Sequence, residues 1–236
     1  MAADTVASIQ EELQRMADER TRRSLRRFFR EEITCHGVST SVVREIAARY
    51  YRSLDREDKK GIFALCEELL GSDACEEAFI ASDWAYRLRG SSDPEDLDVF
   101  EHWLERYVNN WAKCDTLCTH AVGSLIERFP HCIVRLKAWA GSGNRWLRRA
   151  SAVSLVVPAR KGLFLGDVLD IADRLLHDDD DLVQKGYGWL LKEAGKRHQE
   201  EVFGFVMERR KEMPRTALRY AIEKMPAALR RQAMER

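Results

Sequence analysis

The sequence predicts an all-α protein, an α-solenoid of HEAT-like helical repeats, curved and with a basic concave face. Three observations predict it. Leu, Ala, Glu, Arg and Lys dominate the 236 residues, and β-branched alternation is nearly absent. Helix starts recur: "SDACEEAFIASDWAYRL", "VNNWAKCDTLCTHAVGSL", "GSGNRWLRRASAVSLV" and "DDDDLVQKGYGWLLKE" each open on Asp, Asn or Ser, residues whose side chains accept from first-turn N–H groups. With Glu76, Trp111, Trp146, Leu182 and Leu218 in one phase, the spacings are 35, 35, 36 and 36 residues. That regularity marks stacked helix pairs, at a period shorter than is usual for the class.

The elements follow in order. N-terminal helices over about 1–50 precede helix-pair repeats over about 55–236, and residues 1–236 read as one domain. "MAADTVASIQEELQRMADERTRR" carries acids and lacks the apolar centre of a secretory signal. No run of about 18 apolar residues exists, so no membrane span is expected, and the expected location is cytoplasmic. "LDVFEHWLERYV" and "FLGDVLDIADRLL" supply partner helices between the phased ones. "VSLVV" at 153–157 is the one strand-like run, and Pro158 closes it.

Six cysteines are scattered without a C-x-x-C pair, as expected for reduced, buried thiols. Cys114 and Cys118 share a helical face, but no further ligand stands at zinc spacing. "HDDDD" at 177–181 falls where a helix cap is expected, and adjacent acids do not converge easily on one ion. No metal site is expected, and phosphate-binding loops and H-E-x-x-H are absent.

The net charge of zero hides an asymmetry. Residues 61–105 hold twelve acids against Arg87 and Arg89, as expected of the solvated back of the solenoid. Residues 128–166 hold eight bases and no acid, and Arg209 to Arg236 hold nine bases against three glutamates. Such stretches are expected to attract a polyanion.

Counting from each phase residue, Trp111 stands at offset 0, Asp115 at +4, Arg149 at +3 and Trp189 at +7 in successive repeats. At about 100° per residue these offsets span an arc of about 100°. Equivalent helices stack side by side, so the four are expected on one face. The columns break there. Offset +4 reads Ile80, Asp115, Ala150, Gly186, and +3 reads Phe79, Cys114, Arg149, Lys185. A packing column should not drift from Phe to Arg to Lys, and such breaks point to function. Gly186 and Gly188 are expected to leave the helix bare beside Trp189. The bland alternative makes Trp111 a core residue, like Trp146 in its column.

Two indoles can hold a flat or cationic group, and Arg149, Arg145, Arg148, Lys185 and Lys192 can neutralise phosphates. A carboxylate between aromatics suits a reaction that develops positive charge. Glycosidic cleavage does so, through an oxocarbenium-like state. A base already cationic through alkylation leaves without protonation, so one carboxylate suffices.

At these residues the chain resembles the AlkD-type DNA alkylation repair glycosylases. The resemblance rests on Trp followed four residues later by Asp in "WAKCD", on Arg after a Trp-Leu pair in "NRWLRRA", and on "QKGYGWLLKE". It implies a HEAT-like fold and monofunctional excision of cationic N3- and N7-alkylated purines from duplex DNA, without metal or cofactor. It implies that Asp115 is the catalytic carboxylate, that Trp111 and Trp189 pack on the lesion nucleotide's sugar and backbone, and that Arg149 contacts the DNA backbone. Three positions depart from the family: Phe28 stands where a Tyr is frequent, Ser41 where a Pro is, and Ala112 where an acid is. Phe28 keeps an aromatic toward DNA but loses a hydroxyl. A monomer is the default for an open solenoid. The alternatives are a non-catalytic DNA-binding paralogue that recognises bent or branched DNA, and a protein–protein scaffold.

Overall fold

Periodic apolar positions behind good N-caps make helices, and the computed structural model, which describes residues 2–235, is all helical, with no strand among them. The chain forms two compact units, Met1–Ala121 and Val122–Arg236.

In the first unit α1 (Ala2–Arg15) and α2 (Glu19–Arg26) precede α3 (Thr40–Ser53), α4 (Lys59–Gly71), α5 (Cys75–Arg87), α6 (Asp96–Arg106) and α7 (Trp111–Leu117). Helix α5 packs on α3, α4 and α7, so the phased helices stack in series, as the repeat predicts. Trp84 and Trp103 are fully enclosed, and Trp84 Nε1 donates to the Ala47 carbonyl at 2.9 Å. Burying a tryptophan removes about 200 Å² from water, a gross gain of about 5 kcal/mol.

The segment between α2 and α3 has no regular structure but is fastened to α5. Glu76, 1% exposed, accepts from the backbone N–H groups of His36, Gly37 and Val38 at 3.0, 2.8 and 3.1 Å. His36 Nε2 lies 2.7 Å from Glu77 Oε1. That hydrogen bond raises the His36 pKa, and burial opposes it only in part. A raised histidine pKa contributes stability that is complete below the unfolded value of about 6.5 and is lost as pH rises through the folded value. The urea midpoint should therefore fall between pH 6 and pH 8.5 by more in the wild type than in His36→Gln. Equal falls would show that the contact carries no proton linkage.

In the second unit α8 (Gly123–Arg128), α9 (Ile133–Trp139), α10 (Arg145–Val153), α11 (Val156–Arg160), α12 (Leu165–Arg174), α13 (Asp181–Ala194), α14 (Gln199–Arg209), α15 (Arg215–Ile222) and α16 (Ala227–Met234) follow. Here α13 packs on both α10 and α15, again the phased helices. The strand-like "VSLVV" is a helix end, a turn and the start of α11. Its residues 153–156 are fully buried, which explains a continuous apolar run in an all-helical chain. Pro158 sits in the first turn of α11, where its missing N–H costs nothing.

The expected caps are present at three starts. Asn110 accepts from Lys113 N at 3.1 Å, Asn144 from Trp146 N at 2.8 Å, and Asp180 from Leu182 N at 2.8 Å. The exception is α5, whose N-cap is Ala74 without a side-chain bond. Asp73, in a left-handed conformation at φ 65°, turns its carboxylate to other work.

Candidate active site

In the first unit the candidate site is the start of α7. Trp111 is its first residue and Asp115 lies one turn on, so both occupy one face, and both are half-buried. The Trp111 ring stacks on Phe29 with centroids 5.1 Å apart and planes 20° from parallel. Phe29 itself packs on buried Ile33, Cys35 and Cys75. Sequence reasoning singled out Phe28, which is 71% exposed, and missed Phe29. Adjacent phenylalanines in an irregular segment carry no periodicity to say which one turns inward.

The end of α7 is irregular. Thr119 Oγ1 donates to the Asp115 carbonyl at 2.7 Å, and Cys118–Val122 forms a π turn. The wider turn holds one more residue than an α turn, a feature that recurs at functional sites.

Two residues on from Trp111, α7 carries an enclosed ammonium. Lys113 Nζ, on a side chain 1% exposed, is 2.5 Å from Asp73 Oδ1. The same carboxylate accepts from Thr34 Oγ1 at 3.0 Å and Asn109 Nδ2 at 2.6 Å. Burial pushes the Asp73 pKa up, but the Lys113 bond and charge outweigh it and hold the carboxyl below its ordinary value. The cluster ties the segment before α3, the start of α5 and the start of α7 together, and so fixes the helix turn that carries Trp111 and Asp115.

In the second unit Lys185, Trp189 and Lys192 are spaced i, i+4 and i+7 on one stripe of α13, and Trp189 is half-buried. The two glycines beside Trp189 do not leave bare surface, contrary to expectation. A Cβ on Gly188 would stand 2.7 Å from Tyr220 Cβ and 2.8 Å from the Ala217 carbonyl, so its role is close approach of α15. A Cβ on Gly186 would stand 3.4 Å from Arg149 Cγ, so its bare helix seats the arginine. Gly188→Ala should therefore cost about 2–3 kcal/mol by overpacking. Gly186→Ala should change stability by less than about 1 kcal/mol, since contact and helix propensity offset each other. Chemical denaturation of both variants checks this, and equal effects would contradict the contact geometry.

The cations differ from expectation. Arg149 is only 5% exposed and donates to the Leu182 carbonyl, so it braces α13 and presents no exposed guanidinium to a DNA backbone. Arg148 Nε lies 2.6 Å from Asp178, and its guanidinium donates to the Ser142 and Gly143 carbonyls. Arg145 Nε is 3.0 Å from Asp180, and its guanidinium lies 4.8 Å over the Trp146 ring. Lys185 pairs with Asp181 at 2.6 Å and Lys192 with Glu223 at 3.0 Å. The "HDDDD" run thus caps α13 and answers two bases of α10 and one of α13.

The acid-free basic stretch is likewise matched from outside itself. Lys137 pairs with Asp167 and Asp170, Arg160 with Glu193, and Lys161 with Glu127. A charge run along the chain is not a charge patch in space, and the expected basic face is partly neutralised.

The family model for DNA alkylation repair enzymes matches residues 9–225. A predicted DNA alkylation repair enzyme from Enterococcus faecalis is similar in structure, with a TM-score of 0.78 at 15% identity over 90% of this chain and 98% of that one. Pseudomonas fluorescens alkylpurine DNA glycosylase AlkC, solved bound to DNA containing an abasic site analog, is similar with a TM-score of 0.55 at 16% identity. That match covers 98% of this chain and 66% of the other. At such identities the likeness is one of fold. No curated protein matches the sequence. No helix among the described residues is long and apolar enough to cross a membrane. The chain belongs to the DNA alkylation repair enzyme family.

Proposed function

We propose that this protein is an AlkD-type DNA glycosylase that excises cationic N3- and N7-alkylated purines from duplex DNA by hydrolysis of the N-glycosidic bond. The observation that carries the reading is the Trp111–Asp115 pair: an indole and a carboxylate, both half-buried, one turn apart on a helix start anchored by the Lys113–Asp73 cluster.

The chemistry needs little more. Alkylation places positive charge on the purine, so the base departs without a general acid. The sugar becomes oxocarbenium-like, and the Asp115 carboxylate stabilises it and orients the attacking water. Water adds to the sugar carbon, its proton is released, and the neutral alkylpurine leaves with the bond electrons. Trp111, backed by Phe29, and Trp189 pack on the lesion nucleotide. Lys185 and Arg145 reach phosphates by exchanging partners, because partly exposed ion pairs are worth at most about 1 kcal/mol. Lys192 adds charge beside Trp189, and Phe28 offers its exposed ring. Arg149, buried against the Leu182 carbonyl, positions α10 against α13, and Arg148, partly exposed, ties α10 to Asp178 just before α13. No lysine is assigned as a Schiff-base nucleophile, so strand cleavage is not part of the reaction. The protein acts as a monomer.

The test is release of base from a duplex carrying one N7-methylguanine. Release supports the reading. Binding without release would identify a non-catalytic DNA-binding paralogue, and neither would point to a scaffold.

A further inference from the structure

Lys137, Arg145, Arg148, Arg160, Lys161 and Lys192 answer acids about one repeat away, and Lys185 answers Asp181 on its own helix. Three arginines near the C-terminus differ. Arg219 on α15 and Arg230 and Arg231 on α16 are exposed, and among the described residues no acid pairs with them. They line a groove of about 490 Å³ between the two helices, over Ile222 and Met234. Its only acid, Glu223, is already engaged by Lys192 at 3.0 Å and Lys224 at 3.2 Å.

The groove is built rather than incidental. Arg210 donates to the Gln232 carbonyl at 2.6 Å and the Glu235 carbonyl at 3.0 Å, which fastens the end of α16. The cationic surface also continues. Across Glu223, a second depression of about 410 Å³ is lined by Lys192, Lys196, Arg197 and Lys224. Lys192 and Lys224 share the one carboxylate of Glu223 and Lys196 pairs with Glu193 at 2.7 Å, so the lining keeps an excess of positive charge. Lys192 is three residues from Trp189 on α13, so the cationic track begins beside that indole and runs over α15 to α16.

We propose that this track, ending in the Arg219–Arg230–Arg231 groove, holds the phosphodiester backbone of the DNA flanking the lesion. The inference rests on DNA being the partner, and it assigns where one arm of the duplex runs. Guanidinium forks suit phosphate oxygens, which they meet two bonds at a time. An acidic amphipathic helix fits less well, because it needs an apolar floor several turns long and the groove supplies only Ala227, Met234 and Ile222, the last 3% exposed.

The experiment compares the wild type with the triple variant Arg219→Gln, Arg230→Gln, Arg231→Gln. Binding to undamaged duplexes of increasing length is measured against salt. Each lost phosphate contact lowers the slope of log K against log salt by about 0.9, so the slope should fall by about 2–3. At 100 mM salt the affinity for a long duplex should drop more than roughly tenfold, and the gain in affinity with duplex length should shrink. A second variant, Arg52→Gln with Lys60→Gln, removes charge from the acid-rich unit and should leave the slope near that of the wild type. An unchanged slope and length dependence in the triple variant would overturn the proposal. So would equal losses in both variants, which would reflect net charge alone. Failure of the wild type to release base leaves this result standing, because only binding is read.

Discussion

Asp115→Asn is expected to slow release of N7-methylguanine by about 10²- to 10³-fold. The amide keeps the shape and hydrogen-bonding reach of the carboxylate but carries no charge. What is lost is the electrostatic stabilisation of a sugar that becomes cationic only as the bond breaks, an effect worth about 3–4 kcal/mol at comparable sites. The ground state loses little, because the intact nucleotide's sugar is uncharged. Affinity for duplex DNA should therefore stay within a few-fold of wild type, or improve slightly as repulsion of phosphates falls. The measurement is single-turnover base release at saturating enzyme beside a binding isotherm. A variant that binds and reacts at the wild-type rate would remove Asp115 from the chemistry. Equal loss of binding and rate would make it a folding or docking residue.

Asp73→Ala is expected to destabilise the fold by about 2–3 kcal/mol, and Lys113→Met by clearly less. The asymmetry follows from where each charge sits. The Lys113 side chain is 1% exposed, so removing its partner strands an ammonium inside the protein. The Asp73 side chain is 47% exposed, so a carboxylate left alone is rehydrated. The same exposure lets water reach part of the cavity, which keeps the Asp73→Ala cost below the 3–5 kcal/mol typical of fully enclosed pairs. Combining the two substitutions should recover most of the loss, because Met fills the lysine's space without its charge. Urea denaturation of the two single variants and the double variant gives the cycle. Equal single-variant effects would mean that Lys113 reaches solvent in the native state.

These residues show what a sequence can and cannot disclose. The phased starts at Glu76, Trp111, Trp146, Leu182 and Leu218 each fall at or within three residues of an observed helix start, because capping and period are local signals. The ion pairs were not legible. Arg148–Asp178, Arg160–Glu193, Lys161–Glu127 and Lys192–Glu223 lie 30, 33, 34 and 31 residues apart. Those separations are close to one repeat, so each base meets its acid on a neighbouring helix pair, outside any window used to read charge. Gly188 misled for the same reason: what excludes a side chain there is Ala217 and Tyr220 on the next phased helix. Trp111 and Asp115 were legible because their relation is internal to one turn. Phe29 was not, since only the folded chain brings it onto the indole.

The enclosed Lys113 amine has a further consequence for chemical reactivity. Acylating reagents modify neutral, accessible amines, so exposed lysines such as Lys60 and Lys211 should be labelled within minutes, while Lys113 reacts only when the start of α7 lifts from α5. Its labelling rate then becomes a clock for local opening at the Trp111–Asp115 turn. Any ligand that clamps that turn should slow the clock, which makes residue 113 a reporter of occupancy that needs no turnover and no engineered label.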